Sequence, residues 1–417
     1  MNIALLARAP HDEYVIDNTQ SVYPKMTPTT DFSIDQKYVQ FGNAPFIGRV
    51  HRVHLNPRTL DGDVVSNLHL KVKLPQLAHG YTYCDNIGRN LVKSYTLYID
   101  EVEVQRIDAE WLVIQDDIML DDDEKFLLFQ LINEGYDVYT DNFKRDYVSN
   151  PHPVNLIMPL EFFFCRRHSP YKTQRERTTK PFLPLSALWR QNVYIDIEFY
   201  PQSFFTNFIG SPIDLVECPE LIVETCTLTP EEYMGIRERP HRFIITQIYK
   251  EPSTDLIASR DGKFTFTAKF PVSLTTWFFR KKEFENVSDS TYFDNRFQFG
   301  YSYTENNQLK TRDPFQILRL YINNEDSTPQ IGGIFFKHIQ ALNYNLSTPS
   351  NEIYMYSFGK YPKEYRIDTT IRFESSFIEF SLVPEIALDV LENYTFNVYH
   401  LGYTEIQIVE GRVLRVG

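Results

Sequence analysis

The chain has 417 residues, more than one ordinary domain of roughly 100–200 residues and enough for two with sizeable cores. Hydrophobic residues at 42% and charged residues at 23% exclude disorder as the main state. Forty-two Lys and Arg against 55 Asp and Glu leave a net charge of −13, which excludes wholesale coating of nucleic acid, since that needs a cationic face.

Aromatic residues reach 15%, with only 16 Gly and 24 Pro, a balance that favours pleated, half-buried surfaces. The four cysteines (Cys84, Cys165, Cys218 and Cys226) form no C-x-x-C pair and have no His at zinc spacing, so a reducing compartment is expected. The apolar start, Met1 to Arg8, is short for a signal segment, whose apolar core needs about 7–15 residues. No window approaches the ~18 apolar residues of a membrane span, and a soluble chain is expected.

In chain order, the first clear element is a strand in which Leu68, Leu70, Val72 and Leu74 alternate with His69, Lys71 and Lys73. Asp121 to Glu124 then precede Phe126–Ile132, with Gly135 beyond. Carboxylates satisfy the free donors of a helix start, so this segment predicts a capped helix. Val193, Ile195, Ile197 and Phe199 alternate with polar neighbours as a second strand. Thr229-Pro-Glu-Glu232 is a capping box with Pro at the first helical position, predicting a helix to Arg239 that Pro240 ends. Phe264, Phe266, Ala268 and Phe270 alternate again, and Ile317–Ile322 and Phe377–Leu382 complete the strand candidates. One wet face and one apolar face per strand predict an all-β fold of antiparallel sandwiches, without a βαβ rhythm. The pattern divides the chain into an N-terminal arm (1–30), a β-rich half (31–228), a linker helix (229–240) and a second β-rich half (241–417).

Longer stretches are more specific. Asp63–Leu77 reads DVVSNLHLKVKLPQL, followed by YCDNIGRNLVK at Tyr83–Lys93 and YIDEVEVQRIDAEW at Tyr98–Trp111. Phe162–Arg166 with Leu183–Leu188, Leu221 through Ile245, Ile353–Glu364 and Asn397–Tyr403 continue the series. This order resembles the major capsid proteins of nucleocytoplasmic large DNA viruses. The family's "I-G-G-Q-x-I-D" turn carries Asp100-Glu101 in place of Gly-Gly here. Tyr14–Thr30 replaces its N-terminal "G-N-P-Q-I-T-F-F", and Tyr365–Thr369 stands where it has "Q-P-S-G". The resemblance implies a double jelly roll, that is, two tandem eight-stranded antiparallel sandwiches. It also implies a homotrimeric, pseudo-hexagonal capsomer of an icosahedral shell, assembled in the host cytoplasm, whose partners are neighbouring capsomers, minor capsid proteins and an inner membrane. No direct contact with nucleic acid, no cofactor and no enzymatic activity are expected. A minor capsid or membrane-shaping scaffold protein of the same fold, and from another class a glycan-binding sandwich or a glycoside hydrolase, are the alternatives.

Arg166, Arg167, His168, Lys172, Arg175, Arg177 and Lys180 form the concentrated basic run, laced with Pro170 and Tyr171; it is the candidate docking loop for an acidic partner, weighed against a solvated loop. His51 and His54 stand three apart on a strand and face opposite sides, so they do not predict a shared metal. The carboxylates Asp116, Asp117 and Asp121–Glu124 lack the Gly and closing Glu of a calcium loop and read as caps or a wet face. Sequons occur at Asn286, Asn345 and Asn393 and read as chance in a chain outside the secretory route. No G-x-S-x-G, phosphate loop or H-E-x-x-H is present.

Overall fold

The computed structural model describes residues 33–416 apart from 79, 134–153, 166–181, 257–258, 306–307, 329–331, 361, 364–368 and 387. In the first half the strands are β1 (Ser33–Gln40), β2 (Val50–His54), β3 (Val64–Leu74), β4 (Val92–Ile99), β5 (Val102–Asp108), β6 (Val154–Pro159), β7 (Val193–Phe199) and β8 (Glu220–Thr227). They make two antiparallel sheets, ordered β1-β8-β3-β6 and β2-β7-β4-β5, with a short bridge from Leu183–Pro184 to β3. In the second half they are β9 (His241–Lys250), β10 (Asp261–Thr265), β11 (Val272–Lys281), β12 (Phe315–Ile322), β13 (Glu325–Asp326), β14 (Tyr354–Ser357), β15 (Phe377–Leu382) and β16 (Tyr394–Val409). Their sheets are β9-β16-β11-β14 and β10-β15-β12-β13. The first order recurs eight strands later, so the protein is a double jelly roll. Tyr301–Glu305 with Gln308–Arg312 adds a hairpin, and Arg412–Val416 extends the β16 edge.

The repetition reaches individual side chains. On the outer face of β2-β7-β4, the Arg52 guanidinium lies 3.8 Å from the Tyr194 ring, which stacks on Tyr98 at 5.2 Å. On β10-β15-β12, the Lys263 ammonium lies 3.5 Å from the Phe377 ring, which stacks on Tyr321 at 4.5 Å. The registers agree: Arg52 pairs with Asp196, two residues past Tyr194, and Lys263 with Glu379, two past Phe377. Such cross-strand pairs are the unit of sheet stabilisation.

Burial along β3 and β7 alternates as the sequence predicts. The predicted 264–270 strand is shorter: its ladder ends at Thr265. Beyond it, Phe266 N–H donates to the Ser376 carbonyl, and Thr267 and Ala268 N–H donate to the buried Glu251 carboxylate at 2.6 and 3.0 Å. A side chain has replaced the neighbouring strand, while Phe266 and Ala268 stay buried.

Three helices matter. Before the predicted acid-capped helix, α2 (Asp122–Ile132), stands one that periodicity does not reveal, α1 (Ala109–Met119). It is buried on nearly every side, so it has no amphipathic stripe. Asp121 caps α2 by accepting Glu124 N–H at 2.8 Å, and Glu124 returns the bond to Asp121 N–H at 3.1 Å. The Pro-initiated helix α3 (Pro230–Glu238) joins β8 to β9, capped by Thr229. One apolar cluster fills the first sandwich and continues into the second half through Phe243, Ile245, Leu274, Phe278 and Leu401. A second cluster, around Trp277, Phe279, Phe315, Phe380 and Phe396, fills the second sandwich.

Candidate functional site

Among the described residues, those weighed from sequence do not come together in one site. The basic run Arg166, Arg167, Lys172, Arg175, Arg177 and Lys180 lies outside the described residues, as does the arm 1–30. His51 packs between Phe46 and Phe199, while His54 faces Tyr194 on the other side of β2. Asp116 holds the buried Arg89 guanidinium through two bonds of 2.7 and 3.0 Å. Asp117 accepts from Ser350 N–H and hydroxyl and from Asn351 N–H, tying α1 to the second half. Among the described residues no group of three or more His, Cys, Asp or Glu is placed to hold a metal ion. No helix among them is long and apolar enough to cross a membrane. Asn286, Asn345 and Asn393 are exposed, but the Thr395 hydroxyl of the last sequon is buried and donates to the Arg280 carbonyl and to Glu285.

What the tertiary structure does assemble is a buried polar seam between the halves. Asp108 caps α1 by accepting Trp111 N–H at 2.8 Å, which points the first turn, with Glu110, at the second half. One Glu110 oxygen accepts from Arg280 Nη1 at 2.6 Å, and the other accepts from the Lys250 ammonium and, at 2.6 Å, the Tyr399 hydroxyl. Lys250, Arg280 and Tyr399 come from β9, β11 and β16, neighbours in one sheet. Burial alone would raise the Glu110 carboxyl, but the Lys250 and Arg280 charges and the bonds from Lys250 and Tyr399 hold it down at about 2. Asp108 moves the other way, pushed up by burial and by the charge on Glu110. Both Glu110 oxygens are thus taken by cations and a hydroxyl of the second half, and the seam ties the two halves together.

Two further clamps flank it. Gln105 on β5 donates to the carbonyl and hydroxyl of Thr246 on β9 and accepts Phe163 N–H at 2.8 Å. Arg296, 1% exposed, donates to the Phe204 and Ser203 carbonyls of the first half and to Phe284, Asn286 and Asp289 of the second. Burial and the neighbouring Arg280 push its guanidinium down to about 10.

Two family models divide the chain between them: residues 24–218 match "Major capsid protein N-terminus", and residues 232–399 match "Large eukaryotic DNA virus major capsid protein". The chain belongs to the major capsid protein family of large eukaryotic DNA viruses. Within that family it is 22% identical to the major capsid protein of Pyramimonas orientalis virus over 419 aligned residues, 98% of this chain and 96% of that one. It is 20% identical to capsid protein 1 of Acanthamoeba polyphaga mimivirus, where the match spans 70% of this chain and half of the relative's length. Among solved structures, PBCV-1 VP54 superposes with a TM-score of 0.71 at 16% identity, covering 95% of this chain and 98% of that one. The Faustovirus major capsid protein superposes at 0.65 and 11% identity, covering 93% and 92%. As a capsid protein of large DNA viruses, the chain belongs to the virion capsid.

Asp100-Glu101, where the family pattern has Gly-Gly, forms the turn from β4 to β5. Asp100 takes φ 49°, the left-handed region that Gly enters freely, and its carboxylate accepts Asn192 N–H at 2.8 Å. Gly88 of the Ile-Gly motif is required by crowding: a Cβ there would stand 2.6 Å from Ile132 Cβ and 2.8 Å from its carbonyl, at the end of α2. Sequence reading passed over the seam. Asp108, Glu110 and Trp111 lie inside the quoted YIDEVEVQRIDAEW run, but Lys250, Arg280 and Tyr399 lie 140 to 289 positions further along the chain.

Proposed function

We propose that three copies of this capsid protein form a pseudo-hexagonal homotrimeric capsomer of an icosahedral shell. The observation that carries this reading is the recurrence of one strand order in both halves, down to the Arg52–Tyr194–Tyr98 and Lys263–Phe377–Tyr321 stacks. Three chains then present six like sandwiches in a closed ring, which leaves no open end for runaway association. Residues 31–228 and 241–417 act as the two jelly rolls, 229–240 as the linker helix, and 1–30 as an arm. The chain acts through surfaces rather than by catalysis and makes no direct contact with nucleic acid.

Its partners in this reading are neighbouring capsomers, minor capsid proteins and an inner membrane, with assembly in the host cytoplasm. The run Arg166, Arg167, Lys172, Arg175, Arg177 and Lys180 is the docking loop for the acidic partner. Light scattering on the purified chain tests the trimer: a mass near three times 49.2 kDa, with a hexagonal outline in negative stain, is expected, and a monomer at all concentrations sinks the reading. Alanine at Arg166, Arg167, Arg175 and Arg177 is expected to leave the trimer intact and impair shell assembly.

A further inference from the structure

The hydrogens available in the seam fall one short of its acceptors. Asp108 Oδ1 accepts Trp111 N–H at 2.8 Å as the cap of α1. For Asp108 Oδ2 the one hydrogen-bonding neighbour among the described residues is the Tyr399 hydroxyl, at 3.2 Å. A phenol carries a single hydrogen. Glu110 lies closer to that hydroxyl, at 2.6 Å, and is the firmly ionised acceptor, so the hydrogen goes to Glu110. Asp108 Oδ2 then faces an oxygen with no hydrogen between them.

The charged groups around Asp108 do not repair this. From the second half, Lys250 on β9 and Arg280 on β11 donate to Glu110 and not to Asp108. On the first half's side, the rung partner of Asp108 is the neutral Ser94 of β4. Lys93 on β4 and Arg106 on β5 meet Glu198 of β7 instead, at 2.7 and 3.9 Å. Tyr200, just beyond β7, is a phenol that burial pushes up and keeps neutral. Asp108 is therefore a carboxylate beside another carboxylate, with both nearby cations committed elsewhere. Burial, and then the charge on Glu110, push its carboxyl up, the direction that this shortage of donors requires.

We propose that Asp108 is a proton site built into the junction of the two jelly rolls, which tightens as the medium acidifies. Oδ2 takes one proton from the medium and donates it to a lone pair of the Tyr399 hydroxyl oxygen. Tyr399 keeps its own hydrogen on Glu110. The relay then runs unbroken from Asp108 through Tyr399 to Glu110, tying β5 and α1 to β16. Neutral Asp108 also stops repelling Glu110. The medium reaches the site because Asp108 is only partly buried. A carboxyl raised by folding binds its proton more readily in the folded chain than in the unfolded one. Stability at this site thus rises as pH drops through the folded value, and the gain is complete below the unfolded value of about 3.9. The response is opposite in sign to that of a buried neutral histidine.

Asp108→Asn in the full chain is a permanent copy of the protonated form. Its amide oxygen still caps Trp111 N–H, and its amide nitrogen donates to Tyr399. Its thermal midpoint is expected to lie above that of wild type at about pH 7.5, with the gap closing as pH falls from about 6 towards about 4. Acid effects shared by both chains, those at the histidines included, cancel in that difference. A difference that stays level makes Asp108 a helix cap alone, and one that grows on acidification makes it a stabilised anion; either result overturns the inference. Asp108→Ser, which keeps a capping oxygen and has no titratable group, supplies a second reading by infrared difference spectroscopy. Between about pH 7.5 and about pH 5, wild type should gain a carboxylic-acid C=O band that moves on ¹³C-labelling of aspartate. That band should be weaker by one residue in either variant. Bands of equal strength in wild type and both variants also overturn the inference.

Discussion

Glu110 on α1 and Arg280 on β11 form an ion pair of 2.6 Å across the junction of the two jelly rolls, with side chains only 6% and 7% exposed. A buried pair is costly to desolvate and strongly destabilising to break, because its survivor keeps an uncompensated charge. Glu110→Gln is therefore expected to lower the unfolding free energy by about 3–5 kcal/mol, measured by denaturant titration. Glu110→Gln combined with Arg280→Met should lose less than the sum of the two single variants, since the residues are directly coupled.

Acid should loosen the second jelly roll. His400 is 0% exposed, lies between the Phe266 and Phe373 rings, donates to Glu251 at 3.1 Å and meets the Thr275 hydroxyl at 2.9 Å. Burial lowers its pKa against the pull of Glu251, and burial also lowers that of His241, bonded to the Ile236 carbonyl at 2.5 Å. An unfolded histidine takes its proton near about pH 6.5, before these two can in the folded chain. The stability they contribute is thus complete above about pH 6.5 and falls as pH drops through their lowered folded values. Glu251, itself held low by its hydrogen bonds despite burial, adds loss in the same direction at still lower pH. Thermal midpoints should hold between about pH 7.5 and about pH 6.5 and fall from there towards about pH 5.5 in wild type. His400→Gln is expected to start lower and vary less; a parallel profile would assign the acid sensitivity elsewhere.

The crowding at Gly88 gives a sharp steric test. Gly88→Ala must displace Ile132, backbone included, and with it the end of α2. Overpacking of this kind costs about 1–3 kcal/mol, to be read from unfolding curves and from faster amide exchange in α2.

At Asp100 conformation and hydrogen bonding oppose each other. Asp100→Ala keeps the unfavourable φ of 49° and loses the bond from Asn192 N–H, and a loss of about 1 kcal/mol is expected. Asp100→Gly loses the same bond but relieves the backbone, so its midpoint should lie above that of Asp100→Ala.

The sequence by itself determined what depends on neighbours a few residues away. Alternation from Leu68 to Leu74 and from Val193 to Phe199 specified one-sided strands. The Asp121–Glu124 and Thr229–Glu232 boxes specified where α2 and α3 begin, because side chains there meet backbone donors three positions on. The family motifs carried the double jelly roll with them. Tertiary structure alone decided the rest. The strand after Thr265 stops because Glu251, far off in pairing though near in sequence, takes its donors. Helix α1 escaped detection because burial on all sides erases the periodic signal. The seam joins Asp108 and Glu110 to Lys250, Arg280 and Tyr399, and no local pattern encodes a contact across 140 residues or more. Charge placement of that kind is settled only when two completed sandwiches meet, since an isolated Glu110 or Arg280 has no reason to leave water.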